Sequence, residues 1–387
     1  MKKLIKLTVF SVLAFLLPVE VCLANDIQKQ IEGMKKRESK LGKKLAKVSG
    51  FDNKIALKIP SKAKIKTEQS QGFFQFPVSI GSDLPVTCQV YESPVSLGSF
   101  LQQIYGNLEK QKFQKSLPQN TEVFKVGDKN ALRFSFEYVT PKKQLGSMKV
   151  AYGVIGLDAR MICFHDELGY QKTFDKLFKR ILKGTSLKED FELVRSDLYK
   201  TEVNGLAVGF SLMSFYKGAN GTLVEASTGF NQFPRSKTDV MMQASNSAKI
   251  FHENKLIQGI FAADQGGMNT HQIDLSVDDK GAYLIKGTYQ GEPVNKTLKS
   301  KEPIQPETLR ASIIKTLKKP KVFYDYSPEI DPVAVIKYQV KPKGKKQFEA
   351  QLDKVKFNVK IQNNGFMDSM NMKMGSATFT QTLVSRD

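Results

Sequence analysis

The chain has 387 residues, a formal net charge of +21 from 59 Lys and Arg against 38 Asp and Glu, three Cys and no Trp. Only eight of the 59 basic residues are Arg and 51 are Lys, spread along the whole length. Arg is the side chain that grips phosphate and guanine edges with two parallel bonds, so this balance argues against a nucleic-acid partner and for a solvated surface drawn weakly, in a salt-dependent way, to anionic membrane or envelope polymers.

The first segment, "MKKLIKLTVFSVLAFLLPVEVCLAND", has a basic start, an apolar stretch from Leu7 to Leu17 and small residues before Ala24. That order reads as a signal peptide over residues 1–24, and the apolar stretch is shorter than the ~20 residues that cross a bilayer. Cleavage after Ala24 removes three Lys, one Glu and Cys22, which makes the protein secreted, most naturally periplasmic. Cys88 and Cys163 then remain as one pair in an oxidising compartment, which predicts a disulfide. The alternative is Cys163 as a nucleophile with His165 as its base, two residues along the same strand.

Residues 25–50 carry Ile27, Ile31, Met34, Leu41, Leu45 and Val48 at helical spacing, with Glu38 where a further apolar residue would fall. This predicts a basic amphipathic helix, which either contacts a partner or membrane or serves as a lead-in packed on the first domain.

Residues 51–185 alternate strand and helix signals: "KIALKIP", "FFQFPVSI" and "PVTCQVYE" as strands, then a helix with Leu97, Leu101, Ile104, Tyr105 and Leu108 on one face. More strands follow, up to "RMICFHDE". A helix then presents Phe174, Leu177, Phe178, Ile181 and Leu182. The pattern predicts an α+β domain, an antiparallel sheet with packed helices. With "FDKLFKRIL" after the last strand, this element order resembles the PsbP-like family of secreted α/β/α domains over about 130 residues. The resemblance implies a binding or assembly role and brings no catalytic residues.

Polar residues 186–197 read as a linker. Residues 198–387 read as about ten strands joined by Gly, Asn and Asp turns, with one helix over 306–318 that turns Leu309, Ile313 and Leu317 inward. The economical fold is a curved antiparallel sheet, or half-barrel, with the helix across its concave side. The stretch "YKTEVNGLAVGF" resembles the opening strand of half-barrel envelope proteins of unknown function.

Near the end, "NNGFMDSMNMKMGS" places Met370, Met372 and Met374 at alternate positions. A two-residue turn at Asn364-Gly365 with both φ positive would set them opposite Val359, Phe357 and Val355 on one apolar face, with Lys and Asn on the other. Three readings stay open: core packing, an apolar ligand groove formed with Leu309, Ile313 and Leu317, and a thioether Cu(I) site.

His165, His252 and His271 stand at no metal-ligand spacing, and no nucleophile elbow or phosphate loop is present in the sequence. No cofactor is expected. The reading is a non-catalytic binding protein of the cell envelope, for an apolar ligand or a partner protein. The alternative is an envelope hydrolase whose composite site joins convergent carboxylates to His165 or His271.

Overall fold

The computed structural model describes residue 29 and residues 31–60, 68–70, 73–80, 84–92, 97–115, 119–157, 159–234, 240–265, 268–298, 303–328, 331 and 333–386. The signal peptide expected over 1–24 lies outside the described residues.

In the lead-in, the described residues of α1 are residue 29 and residues 31–35, and the helix stops there. The chain is then extended until β1 (Leu45–Gly50). The amphipathic helix expected over residues 25–50 is therefore corrected. Gly42 weakens a helix there, and the extended segment is held by bonds only an open backbone can make. Tyr170 N donates to Arg37 O at 2.6 Å, and Arg180 donates to the carbonyls of Gly42 and Lys43.

The first half continues through β2 (Ile55–Pro60), β3 (Glu68–Ser70), β4 (Phe73–Ile80), β5 (Leu84–Tyr91), α2 (Leu97–Lys110), β6 (Gln114–Lys115), β7 (Gln119–Val126), β8 (Lys129–Val139), β9 (Leu145–Val154), β10 (Arg160–His165), α3 (Gln171–Lys183) and β11 (Ser186–Leu187). An eight-stranded antiparallel sheet runs β3-β4-β5-β10-β9-β8-β6, with β7 also on β8; β1, β2 and β11 form a small sheet beside it. Alternation sends Val86, Cys88, Val90, Met161 and Cys163 to one face, where α3 lays down Phe174, Leu177, Phe178, Ile181 and Leu182. The opposite face offers Phe134, Phe136, Tyr152 and Ile162 to Leu97, Leu101, Tyr105 and Leu108 of α2. Both helices present the faces their periodicity predicts.

The second half holds β12 (Glu192–Val203), β13 (Leu206–Lys217), β14 (Thr222–Pro234), β15 (Val240–His252), β16 (Lys255–Gln265), β17 (Met268–Val277), β18 (Tyr283–Tyr289), β19 (Glu292–Leu298), α4 (Glu307–Ile314), β20 (Lys321–Asp325), β21 (Ile336–Gly344), β22 (Gln347–Leu352), β23 (Val355–Ile361), β24 (Met367–Met374) and β25 (Ala377–Arg386). They form one 14-stranded antiparallel sheet, ordered β19-β18-β17-β16-β15-β14-β13-β12-β25-β24-β23-β22-β21-β20. The terminal strand β25 pairs with β12 and so joins the start of this half to its end. The sheet curves strongly: Lys249 on β15, fifth in that order, reaches Asp325 on β20, fourteenth, with Nζ 2.7 Å from Oδ1.

The sheet is longer than the ten strands expected. β19 follows a tight Gln290-Gly291 turn with both φ positive, and its polar sequence carries little strand signal. β25 is also added, and polar residues 186–197 are not a free linker. Ser186 and Leu187 pair with β2, and β12 begins at Glu192. The two halves share a core, since Leu198, Phe210, Leu212 and Phe230 of the large sheet pack with α2 and the first sheet.

Candidate functional site: the cavity under the inner helix

Helix α4 lies inside the curve of the large sheet. Pro306 precedes it with φ −65° but offers no side-chain cap. The cap comes from β14 instead: Glu225 Oε1 accepts from the backbone N–H of Glu307 at 2.5 Å and of Thr308 at 3.4 Å. A carboxyl at a helix N-terminus satisfies donors that would otherwise have no partner. Glu225 is buried, and burial pushes its carboxyl up to about 7 against the pull of the Arg310 charge.

The first turn of α4 then enters a cluster of charges. Arg310, with 6% of its side chain exposed, donates from Nε and Nη2 to Glu307 Oε2 at 2.9 and 2.6 Å. Its Nη1 stands 3.2 Å from Asp325 Oδ1. Asp325 also takes Lys249 Nζ and the backbone N–H of Tyr326 at 2.8 Å. Burial alone would raise the Asp325 carboxyl, but Arg310 and Lys249 outweigh it and hold it at about 2. Two cations, Arg310 and Lys249, thus face the carboxyl groups of Glu307 and Asp325, and that of Asp325 is held in the ionised form.

From this cluster a cavity of about 270 Å³ runs along the inner wall. Glu307, Arg310 and Asp325 line it with Tyr338 and Ser327; the apolar lining includes Val340, Phe348, Leu352, Phe357, Val359 and Met367, and Tyr199, Ser211 and Gln381 add further polar groups. The inner face of α4 is Arg310, Ala311 and Ile314. The expected face of Leu309, Ile313 and Leu317 is rotated away from this. Ile313 and Leu317 pack at the margin, against Ile314, Phe323, Val340, Phe348 and Ile361, and Leu309 is half-buried outside that group. The helix also ends at Ile314 rather than 318. A hydropathy pattern assigns charged residues to solvent, so it misplaces a helix whose buried side carries an arginine.

The terminal hairpin is present with a different turn. Gln362 N bonds Phe366 O at 2.8 Å, and Ile361 pairs with Met367. Of Asn364 and Gly365, only Gly365 has positive φ, at +91°. A register shift beyond Ile361 then restores the expected alignment, with Met370 opposite Val359. The wider tip has a physical reason. Gly365 abuts α4, and a Cβ there would lie 1.9 Å from Ala311 O.

The methionines are only partly brought together with their expected partners. Met370 stands between Val359 and Gln381, two cavity-lining residues, and shares their face. The β23–β24 ladder stops at Asn358 and Asn371, so Met372 faces Phe379 of β25 rather than Phe357. Met374 pairs through its backbone with Ala377, and its side chain lies outside the described residues. Val355 is 43% exposed and takes no part in the cavity wall.

Cys88 and Cys163 are bonded, directly opposite each other on β5 and β10 and fully buried. The pairing leaves no thiol for the cysteine–histidine alternative. His165 is buried against Phe174 in the first half, and burial beside Lys149 pulls its pKa down to about 3. His271 packs on Tyr289 and bonds the Thr270 hydroxyl. Neither histidine lines the cavity with Glu307 and Asp325. Sequence reading missed Glu225, Lys249, Arg310 and Asp325, which lie in four separate elements and share no local spacing.

A search of solved structures finds a beta-barrel-like protein of a domain of unknown function, DUF1849, from Brucella abortus. It is 12% identical with a TM-score of 0.40, over 51% of this chain and 99% of that one. No family model matches the chain, and no curated protein does. Neither the family models nor the curated proteins support the PsbP-like resemblance of residues 51–185.

Proposed function

We propose that the protein is an exported, non-catalytic binding protein of the cell envelope, periplasmic in location, and that the cavity under α4 receives an apolar chain. The observation that carries this reading is the cavity's composition: many aliphatic and aromatic side chains, with a few polar ones such as Ser211 and Gln381, beside a buried, charge-balanced cluster. Ligand pockets commonly combine an apolar lining with a few convergent polar groups. The export reading is supported by the signal-like N-terminus and by the Cys88–Cys163 disulfide, which suits an oxidising compartment. Among the described residues, no helix is long and apolar enough to cross a membrane.

The test is purification from the native host without detergent, followed by mass spectrometry of an organic extract. A bound amphiphile near one per chain is expected. Val359→Trp, which fills the cavity, should remove it and abolish saturable binding of Nile red. An empty extract together with no saturable Nile red binding would overturn the proposal.

A further inference from the structure

The charge cluster says more about what the cavity would take, granted the reading of that cavity as a ligand site. Arg310 is buried, and its Nε and Nη2 are both used by Glu307. Its Nη1 carries two hydrogens: Asp325 Oδ1, 3.2 Å away, can occupy one side of this atom as an ion-pair partner, and no second acceptor among the described residues bonds it. A buried donor without an acceptor costs about 1–3 kcal/mol, and a ligand that supplies one recovers that cost on binding. Arg310 also lines the cavity, so the donor stands in its wall.

The sign of the headgroup follows from the surrounding charges. Arg310 and Lys249 are balanced by Glu307 and Asp325. An anionic head would leave this desolvated site with an excess negative charge beside two carboxylates. A cationic head would leave an excess positive charge beside a guanidinium. Burying either unpaired charge is costly, whereas a neutral oxygen keeps the balance. The Glu307 and Asp325 carboxylates on the same wall can accept from a hydroxyl.

We infer that the cavity selects an amphiphile with a neutral, oxygen-rich headgroup, an ester or amide carbonyl with neighbouring hydroxyls as in a monoacylglycerol, over charged amphiphiles of the same chain length. The carbonyl oxygen accepts from Arg310 Nη1, the hydroxyls donate to Glu307 or Asp325, and the acyl chain follows Phe348, Phe357 and Val359.

The experiment is displacement of Nile red from the full-length mature protein at pH 6, where Glu225 carries little charge. The competitors are monolauroylglycerol, dodecanesulfonate and dodecyltrimethylammonium, all below their micelle concentrations. Monolauroylglycerol should displace the dye at a concentration lower by about tenfold or more than either charged analogue. Arg310→Met, which changes the cavity wall itself, should weaken monolauroylglycerol by a larger factor than it weakens Nile red; where this variant does not fold, the wild-type ranking decides alone. Equal or better displacement by either charged analogue, or none by monolauroylglycerol, overturns the headgroup inference and leaves the cavity reading standing. Absence of any Nile red binding that Val359→Trp can remove overturns the cavity reading itself.

Discussion

Helices α3 and α4 each begin under a glutamate borrowed from a distant part of the chain, and the two glutamates live in opposite conditions. Glu38 reaches α3 from the extended lead-in, accepting from Lys172 N at 2.9 Å and from Thr173 N and Oγ1 at 2.7 and 2.6 Å. Glu225 reaches α4 from the buried face of β14. Burial raises both carboxyls; at exposed Glu38 the Thr173 and Lys172 bonds prevail and the pKa falls, whereas at Glu225 burial prevails. The same capping geometry therefore gives an anion in one half and, near neutrality, a half-protonated acid in the other. The halves also differ in what braces the helix. Helix α3 rests on an apolar face closed by a disulfide, and α4 on a cluster of ion pairs.

Arg310→Met tests this contrast most severely. It strips Glu307 of its partner and leaves Asp325 with Lys249 alone, so a loss of about 3–5 kcal/mol in urea unfolding is expected. A loss below about 1 kcal/mol would mean that the cluster does not brace α4. Next comes the double change Cys88→Ala and Cys163→Ala, with an expected loss of about 2–4 kcal/mol that does not vary between pH 5 and 8. A smaller effect, with the clearest sign, belongs to Glu225→Gln. The folded carboxyl titrates near 7, above the ordinary value of 4.5. Its contribution is therefore complete below about pH 4.5 and is lost as pH rises through 7. The variant keeps an acceptor for the helix, so it should match wild type near pH 5 and exceed it at pH 8 by about 1–3 kcal/mol. Least costly is Glu38→Ala, about 0.5–2 kcal/mol at pH 7. Here the pKa is lowered, so the difference from wild type is present above pH 4.5 and fades as acid protonates Glu38. Unfolding midpoints measured across pH 3–8 for both glutamate variants would show trends of opposite sign. Parallel trends would remove the contrast.

The apolar face of α3 is legible in the sequence because every residue on it is apolar or small, and the Cys pairing because one pair remains after export. The face of α4 is not legible, since Arg310 and Glu307 interrupt the hydropathy pattern on the buried side. Glu38 shows the same limit from the other direction. In sequence it is a gap in a helical stripe; in the fold it is the cap of α3, with the chain around it extended. Long-range electrostatics of this kind leave no local periodicity to read. The Asn364-Gly365 turn is a milder case, where the strand register is correct but contact with α4 widens the tip.

A closed β-barrel has its girth set by strand number and stagger, because its backbone ladder has no ends. Here, among the described residues, β19 and β20 end the order without pairing to each other, and the curl is braced by Lys249, Asp325 and the seat of Gly365 against α4. Its bore is thus governed by side-chain clasps rather than a quantised ladder. If the cavity holds an acyl chain as proposed, a roll of this kind could widen for a longer chain without breaking a closed backbone ladder.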